Sequence, residues 1–211
     1  MTMKTIIFGA TGTVGKLATE RMLADGHRVT AFARTPDKLK IEHENLTLLA
    51  GNAASADEVS AAVEGHEAVV ITLGAGLSRS STIRSDGTRN VILGMQKHGV
   101  KRLVCQSTLG VHESWENLNF FWKRIMFGAL LRPVFKDHEL QEELVRVSGL
   151  NWTIVRPSAF APELATGGYK ENFPASEPRL SLKINPSDIA GFLSRQLSDM
   201  QYLRRAVGIS T

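Results

Sequence analysis

The apolar positions change period along the chain. Thr5-Ile6-Ile7-Phe8 is a short continuous run, whereas Val14, Leu17, Ala18 and Met22 recur on one face of a helix over 14–25 that Gly26 stops. Continuous runs return at Arg28–Ala33, Leu46–Leu49, Ala68–Thr72, Arg102–Cys105 and Trp152–Val155, and these predict further strands. Between them, Ser55-Ala56-Asp57-Glu58 reads as a capping box ahead of Val59, Ala62 and Val63, and a longer helix is expected from about Ser81 to His98. Short β-rich runs alternating with helices predict βαβ units, whose right-handed crossovers make the strands parallel. The expected class is therefore α/β.

The pattern is less regular in the second half. Asn117 to Arg132 is crowded with Phe120, Phe121, Trp122, Met126, Phe127, Leu130 and Leu131 and stops at Pro133. Its length and periodicity predict a core helix; the alternatives are a wall or lid over an aromatic substrate, or a subunit contact. An amphipathic helix is expected over Asp137–Val147, ending at Ser148-Gly149. The Pro- and Gly-bearing stretch from Pro157 to Pro178 is the longest irregular region, and connections of that length are usually functional or mobile.

Composition narrows the class of partner. At 211 residues the chain fits one domain, 1–211, with a substrate region drawn mainly from 107–135 and 157–180. The formal charge is +4, but the basic residues are scattered as pairs such as Lys101-Arg102 and Arg204-Arg205, which argues against nucleic acid and suits an anionic small molecule. Cys105, the single cysteine, leaves no internal disulfide. With no apolar run of 18 residues and no leader, a cytoplasmic protein free of membranes is expected, as a monomer or small homo-oligomer.

The candidate chemistry begins at Phe8-Gly9-Ala10-Thr11-Gly12-Thr13-Val14-Gly15-Lys16. A glycine trio is informative here because it follows a strand, opens a helix and sits in a βαβ unit. Gly9 allows the tight turn, Gly12 lets the backbone approach a pyrophosphate, and Gly15 permits close packing of helix on strand. The amides of Thr11, Thr13 and Val14 then point at the anion. This completes the expected fold: a single-domain, Rossmann-like, doubly wound parallel sheet with helices on both faces. Where an NAD enzyme carries a carboxylate after the second strand, this chain has Arg34, followed by Lys38, which can pair with a 2′-phosphate. NADP(H) is the expected cofactor.

Other residues limit what such a cofactor could be used for. The two tyrosines, Tyr169 and Tyr202, are followed four places on by Phe173 and Ala206, so there is no Tyr-x-x-x-Lys to protonate an alkoxide. Hydride transfer to a flavin or other conjugated acceptor needs mainly stacking and orientation, since the charge delocalises and a solvent proton can follow. The six histidines show no metal-ligand spacing, so no metal is expected. Ser107 at the exit of the fifth strand could donate to substrate or nicotinamide, or serve as a helix or turn cap. His138 could be a proton donor, or a surface or capping histidine.

Taken in order, "FGATGTVG", "AFARTPDKL", "LVCQSTLG" and "SGLNWTIVRPSAF", with "SDGTRNV", "DHELQEELVRVSGL", "ATGGYK" and "KINPSDIAGFL", make the chain resemble an atypical member of the short-chain dehydrogenase/reductase superfamily. It is most similar to the NAD(P)H-binding group that includes biliverdin reductase B (flavin reductase) and the NmrA-like proteins. The resemblance implies that Gly9, Thr11, Gly12, Thr13 and Val14 hold the pyrophosphate and that Arg34 and Lys38 face the 2′-phosphate. Leu73 and Gly74 would line the ribose. Gly51 and Asn52 would flank the adenine, Asn52 keeping an acceptor where the family more often has Asp. Ser107 would lie near the nicotinamide, with Pro157, Ser158, Ala159 and Phe160 against its other side. Biliverdin reductase B has a histidine where this chain has Ala159, which moves the expected acceptor toward flavins or quinones. The function implied is an NADPH-dependent oxidoreductase with a conjugated acceptor. The alternatives are an NmrA-like regulator that senses NADP(H) without chemistry and, disfavoured by the missing tyrosine, an epimerase or isomerase.

Overall fold

The computed structural model describes residues 2–76, 78, 80–175, 177 and 179–211. Pro178, the expected limit of the irregular stretch, and position 176 within it lie outside the described residues.

The six expected strands are all present: β1 (Lys4–Phe8), β2 (Arg28–Ala33), β3 (Leu46–Ala50), β4 (Ala68–Ile71), β5 (Arg102–Gln106) and β6 (Asn151–Pro157). Two short strands, β7 (Ala159–Phe160) and β9 (Lys183–Ile184), pair with each other, while β8 (Lys170–Glu171) and β10 (Arg205–Ser210) extend the main sheet. Its order is β3-β2-β1-β4-β5-β6-β10-β8, parallel throughout except for β8. The chain leaves β1 toward β2 on one side and later returns to β4 on the other. That reversal opens a crevice at the carboxyl ends of β1 and β4, the place where open α/β sheets bind ligands.

Helices α1 (Thr13–Ala24) and α5 (Pro186–Arg195) cover one face of the sheet, and α2 (Ala56–Val63), α3 (Ile83–His98) and α4 (Arg132–Val147) cover the other. Ile7 belongs to the first core, with Ala18, Met22 and Phe192, whereas its neighbours Ile6 and Phe8 belong to the second, with Val59, Val91 and Val145. Successive residues of a strand thus enter opposite cores, which is why the strands read as unbroken apolar runs.

Two expectations in the second half are corrected. Pro133 does not stop a helix; it lies in the first turn of α4, where the amide has no intrahelical partner for a proline to remove. Asn117–Arg132 is not a core helix. It begins at the end of the 3₁₀ turn His112–Asn117 and continues through an extended link into a wide π-helical segment, Phe121–Leu130, in which Phe127 alone is buried. Phe127 joins Leu109, Val111, Leu118, Phe135 and Leu182 in a separate apolar cluster beyond the sheet, so this segment contributes nothing to the main cores.

The capping box is half formed: Ser55 Oγ accepts from the Glu58 amide at 3.4 Å, but the Glu58 carboxylate accepts from Asn52 N instead of returning to Ser55.

Candidate active site

The glycine loop is built by contact. Gly9 has φ +89°, a left-handed conformation that a side chain would strain, and its carbonyl accepts from Gly12 N at 3.0 Å. Thr72, just past β4, donates its hydroxyl to the Phe8 and Gly9 carbonyls at 3.1 and 3.3 Å, which pins the loop across the crevice. No side chain caps α1 at Gly12 and its first turn carries no acid. The first amides and the positive end of the helix dipole are left for an anion.

The loop forms one end of a cleft of about 800 Å³ along the carboxyl edge of the sheet. Of the residues expected to contact cofactor or substrate, all but one line it: Gly9, Thr11, Gly12, Thr13, Val14, Arg34, Gly51, Asn52, Leu73, Gly74, Ser107, His138 and Pro157 to Phe160. The exception is Lys38, which is exposed on the 3₁₀ turn Pro36–Leu39 and is not among the lining residues. Gly51 is required by its neighbour, since a Cβ there would fall 2.5 Å from the Phe32 ring. Asn52 Oδ1 accepts from Ala54 N at 3.1 Å, which fixes the amide and leaves its oxygen one further lone pair.

At the far end the walls are polar but unsatisfied. Ser107 Oγ, Ser158 Oγ and Gln106 Oε1 are buried and have no partner among the described residues. Leaving such groups unpaired costs on the order of 1–3 kcal/mol each, so their arrangement fits a polar ligand end such as a carboxamide. Ser107 is accordingly not a turn cap. Together with the uncapped helix and the glycine cradle, these atoms fit a dinucleotide lying along the cleft.

His138, on α4, lies at this end, and its chemistry differs from that of a proton donor. Burial and the nearby Arg84 charge pull its pKa down to about 3, so the ring is neutral at physiological pH. Gln141 donates to Thr88 Oγ1 at 3.1 Å, which leaves its oxygen to accept from His138 Nδ1 at 3.2 Å. Nε2 then carries a lone pair and no proton. The Nδ1 proton is engaged by Gln141 and Nε2 offers a lone pair, an arrangement that does not favour the expected proton-donor role.

Several lining residues escaped the sequence reading, Thr72, Arg84, Gln106 and Thr108 among them. Arg84, in the first turn of α3, is nearly buried, and its Nη1 lies 3.5 Å from Asp137 Oδ2 without a good hydrogen bond. Asp137 also accepts from the Arg84 and Ser85 amides at 3.2 and 3.0 Å, so α4 caps α3. The signal was present: Arg84 is in register with Thr88, Val91 and Met95, a charged residue on a buried stripe. Gln106, the last residue of β5, gave no comparable signal.

Beside the cleft lies a second pocket of about 160 Å³, lined by apolar groups that include Leu118, Trp122, Phe127, Leu131 and Val134. Thr108, His138, Ser158 and Ala159 line both spaces, so the two lie side by side there. Among the described residues no group of three or more His, Cys, Asp or Glu could hold a metal ion, and no helix is long and apolar enough to cross a membrane. Burial, with Glu142 nearby, pushes the Cys105 thiol well above its ordinary pKa.

Comparison with known proteins agrees with this geometry. A protein described as an uncharacterised sugar epimerase from Bacillus subtilis is 28% identical over 172 residues, covering 78% of this chain and 76% of that one. A short-chain dehydrogenase/reductase from Veillonella parvula, solved in complex with NADP, superposes with a TM-score of 0.84 at 19% identity, covering 100% of this chain and 95% of that one. An anaerobillin reductase from Escherichia coli O157:H7 superposes with a TM-score of 0.79 at 23% identity, covering 98% and 96%. The two solved structures establish the shared Rossmann-like fold. A family model described as NAD(P)H-binding matches residues 9–200, nearly the whole chain. The chain therefore belongs to this NAD(P)H-binding family.

Proposed function

We propose that the protein is an NADPH-dependent reductase that delivers hydride to a flat conjugated acceptor, flavin-like or quinone. The observation that carries this reading is that a dinucleotide-sized cleft and an aromatic-walled pocket lie side by side, sharing Thr108, His138, Ser158 and Ala159 as lining. Bound in the cleft, the cofactor would supply a hydride at its nicotinamide.

The α1 amides at Thr11–Val14 hold the pyrophosphate, and Arg34, aided by Lys38 from the following turn, selects the 2′-phosphate. Leu73 and Gly74 line the ribose, and Gly51 and Asn52 flank the adenine. Ser107 Oγ and the 157–160 backbone orient the nicotinamide, and the unpaired Ser158 and Gln106 oxygens support the same polar end. The acceptor region is contributed by 107–135 and 157–180. Trp122 and Phe127 provide faces for stacking and keep water out, which positions the acceptor more than it activates it. With His138 neutral and Tyr-x-x-x-Lys missing, the proton that follows comes from solvent, as a delocalised anion allows.

Sugar epimerisation, suggested by the name of the Bacillus subtilis relative, is less well supported. A sugar presents hydroxyls all round, and among the described residues the smaller pocket offers only Thr108, His138, Ser158 and the Trp122 indole N–H as polar side-chain groups. Val134→Phe, which fills that pocket from α4, tests the reading. NADPH affinity should be unchanged while acceptor turnover is lost; turnover at the original rate would contradict it.

A further inference from the structure

The π-helical segment that walls the acceptor pocket turns its other side to solvent. Phe120 is 74% exposed, Phe121 49%, Ile125 48% and Leu130 43%, with Gly128 and Ala129 exposed between them. A contiguous apolar face of this kind on a monomeric surface calls for a partner. Its charge pattern says which. Positions 117–136 carry Lys123, Arg124, Arg132 and Lys136 and not one Asp or Glu. Arg124, Arg132 and Lys136 are exposed and make no ion pair with the described residues. The nearest acids before the segment are already engaged, Glu116 with Lys123 at 3.2 Å and Glu113 with Arg146 and Arg156.

We infer that this face docks on an anionic lipid surface: the exposed Phe120, Phe121, Ile125 and Leu130 enter the headgroup boundary while Arg124, Arg132 and Lys136 meet lipid phosphates. Aromatic and aliphatic groups on one side with unopposed cations around them are what an interfacial helix requires. The docking is peripheral. Trp122 and Leu131, which line the acceptor pocket, belong to the same stretch, so docking would hold the pocket close behind the membrane-facing side of the segment; this consequence rests on the reductase reading, whereas the docking does not.

Vesicle co-sedimentation of the full chain tests the docking, with phosphatidylcholine alone and with phosphatidylcholine mixed with phosphatidylglycerol. The wild type should sediment with the anionic vesicles only. Arg124→Glu/Arg132→Glu should weaken partitioning by more than about twentyfold, at roughly fivefold per cation removed. Phe121→Ser/Ile125→Ser should weaken it by on the order of tenfold or more, and both variants should retain NADPH affinity. Wild-type protein left in the supernatant, or bound equally to both vesicle types, overturns the inference. So does sedimentation equilibrium showing a dimer that Phe121→Ser/Ile125→Ser dissociates, since a second copy then covers the face. NADPH oxidation with a water-soluble acceptor reads the reductase proposal separately.

Discussion

Gly15 packs against Gly9 so closely that a Cβ on Gly15 would stand 2.2 Å from the Gly9 carbonyl oxygen and 2.9 Å from Thr72 Oγ1. The helix that presents its amides to the cleft is seated directly on the turn that opens it, and neither can shift alone. Gly15→Ala should therefore displace α1 or strain the loop, at a cost of about 1–3 kcal/mol in stability. NADPH affinity, measured by the quenching of protein fluorescence, should fall at least tenfold even where the variant stays folded. An unchanged affinity would mean that the loop does not depend on this contact.

Arg34 stands at the end of β2, where its charge faces the cleft mouth. Arg34→Asp should weaken NADPH by on the order of 1.5–3 kcal/mol, about 10- to 100-fold, the worth of hydrogen bonds to a charged group. NADH should change little. Lys38→Ala should have the smaller effect, since Lys38 does not line the cleft.

Arg156, 2% exposed, donates to both Glu142 oxygens at 2.8 and 2.7 Å and also meets Glu113 at 3.0 Å. The pair ties α4 to β6 directly behind the Pro157–Phe160 wall. Removing one partner leaves a buried charge uncompensated, so Glu142→Gln should cost about 3–5 kcal/mol in urea unfolding.

Acid should destabilise the protein in two windows. His138 in the folded chain has its pKa lowered to about 3 from 6.5, so between these values the unfolded chain binds the extra proton and stability falls as pH falls. Burial lowers His27 and His66 in the same direction. Glu113, held near 2 by Arg156 and Arg146 despite partial burial, contributes stability above its ordinary 4.5 that is lost as pH drops toward 2. Thermal melts at pH 7 and pH 5 should therefore differ less for His138→Gln than for the wild type. An equal difference would show that the ring is not held neutral.

The sheet was legible because a strand covered on both faces must be apolar on both, and Ile6, Ile7 and Phe8 announce that without long-range information. The glycine-loop end of the cleft was legible for a related reason: the Gly9–Gly15 loop is a local backbone device whose requirements are written in consecutive residues. The apolar pocket beside the cleft was not. Trp122 and Phe127 were visible as an aromatic run, but the apolar cluster that turns them away from the sheet depends on Leu182, more than fifty residues distant. β10 was missed because Arg205 and Gly208 dilute its pattern; Gly208 is there because a Cβ would lie 2.8 Å from the Phe173 ring. α5 carried a full start signal, with Asn185 accepting from Ser187 N at 2.8 Å and Pro186 in the first turn, and could have been found.

The most direct measurement is the steady-state oxidation of NADPH by the purified protein with FMN, riboflavin, a series of quinones and biliverdin offered in turn. The account predicts turnover with at least one flavin or quinone, faster with NADPH than with NADH, and abolished by Val134→Phe. Tight, equal binding of NADPH and NADP⁺ with no turnover of any acceptor would contradict it and leave a cofactor-sensing regulator in its place.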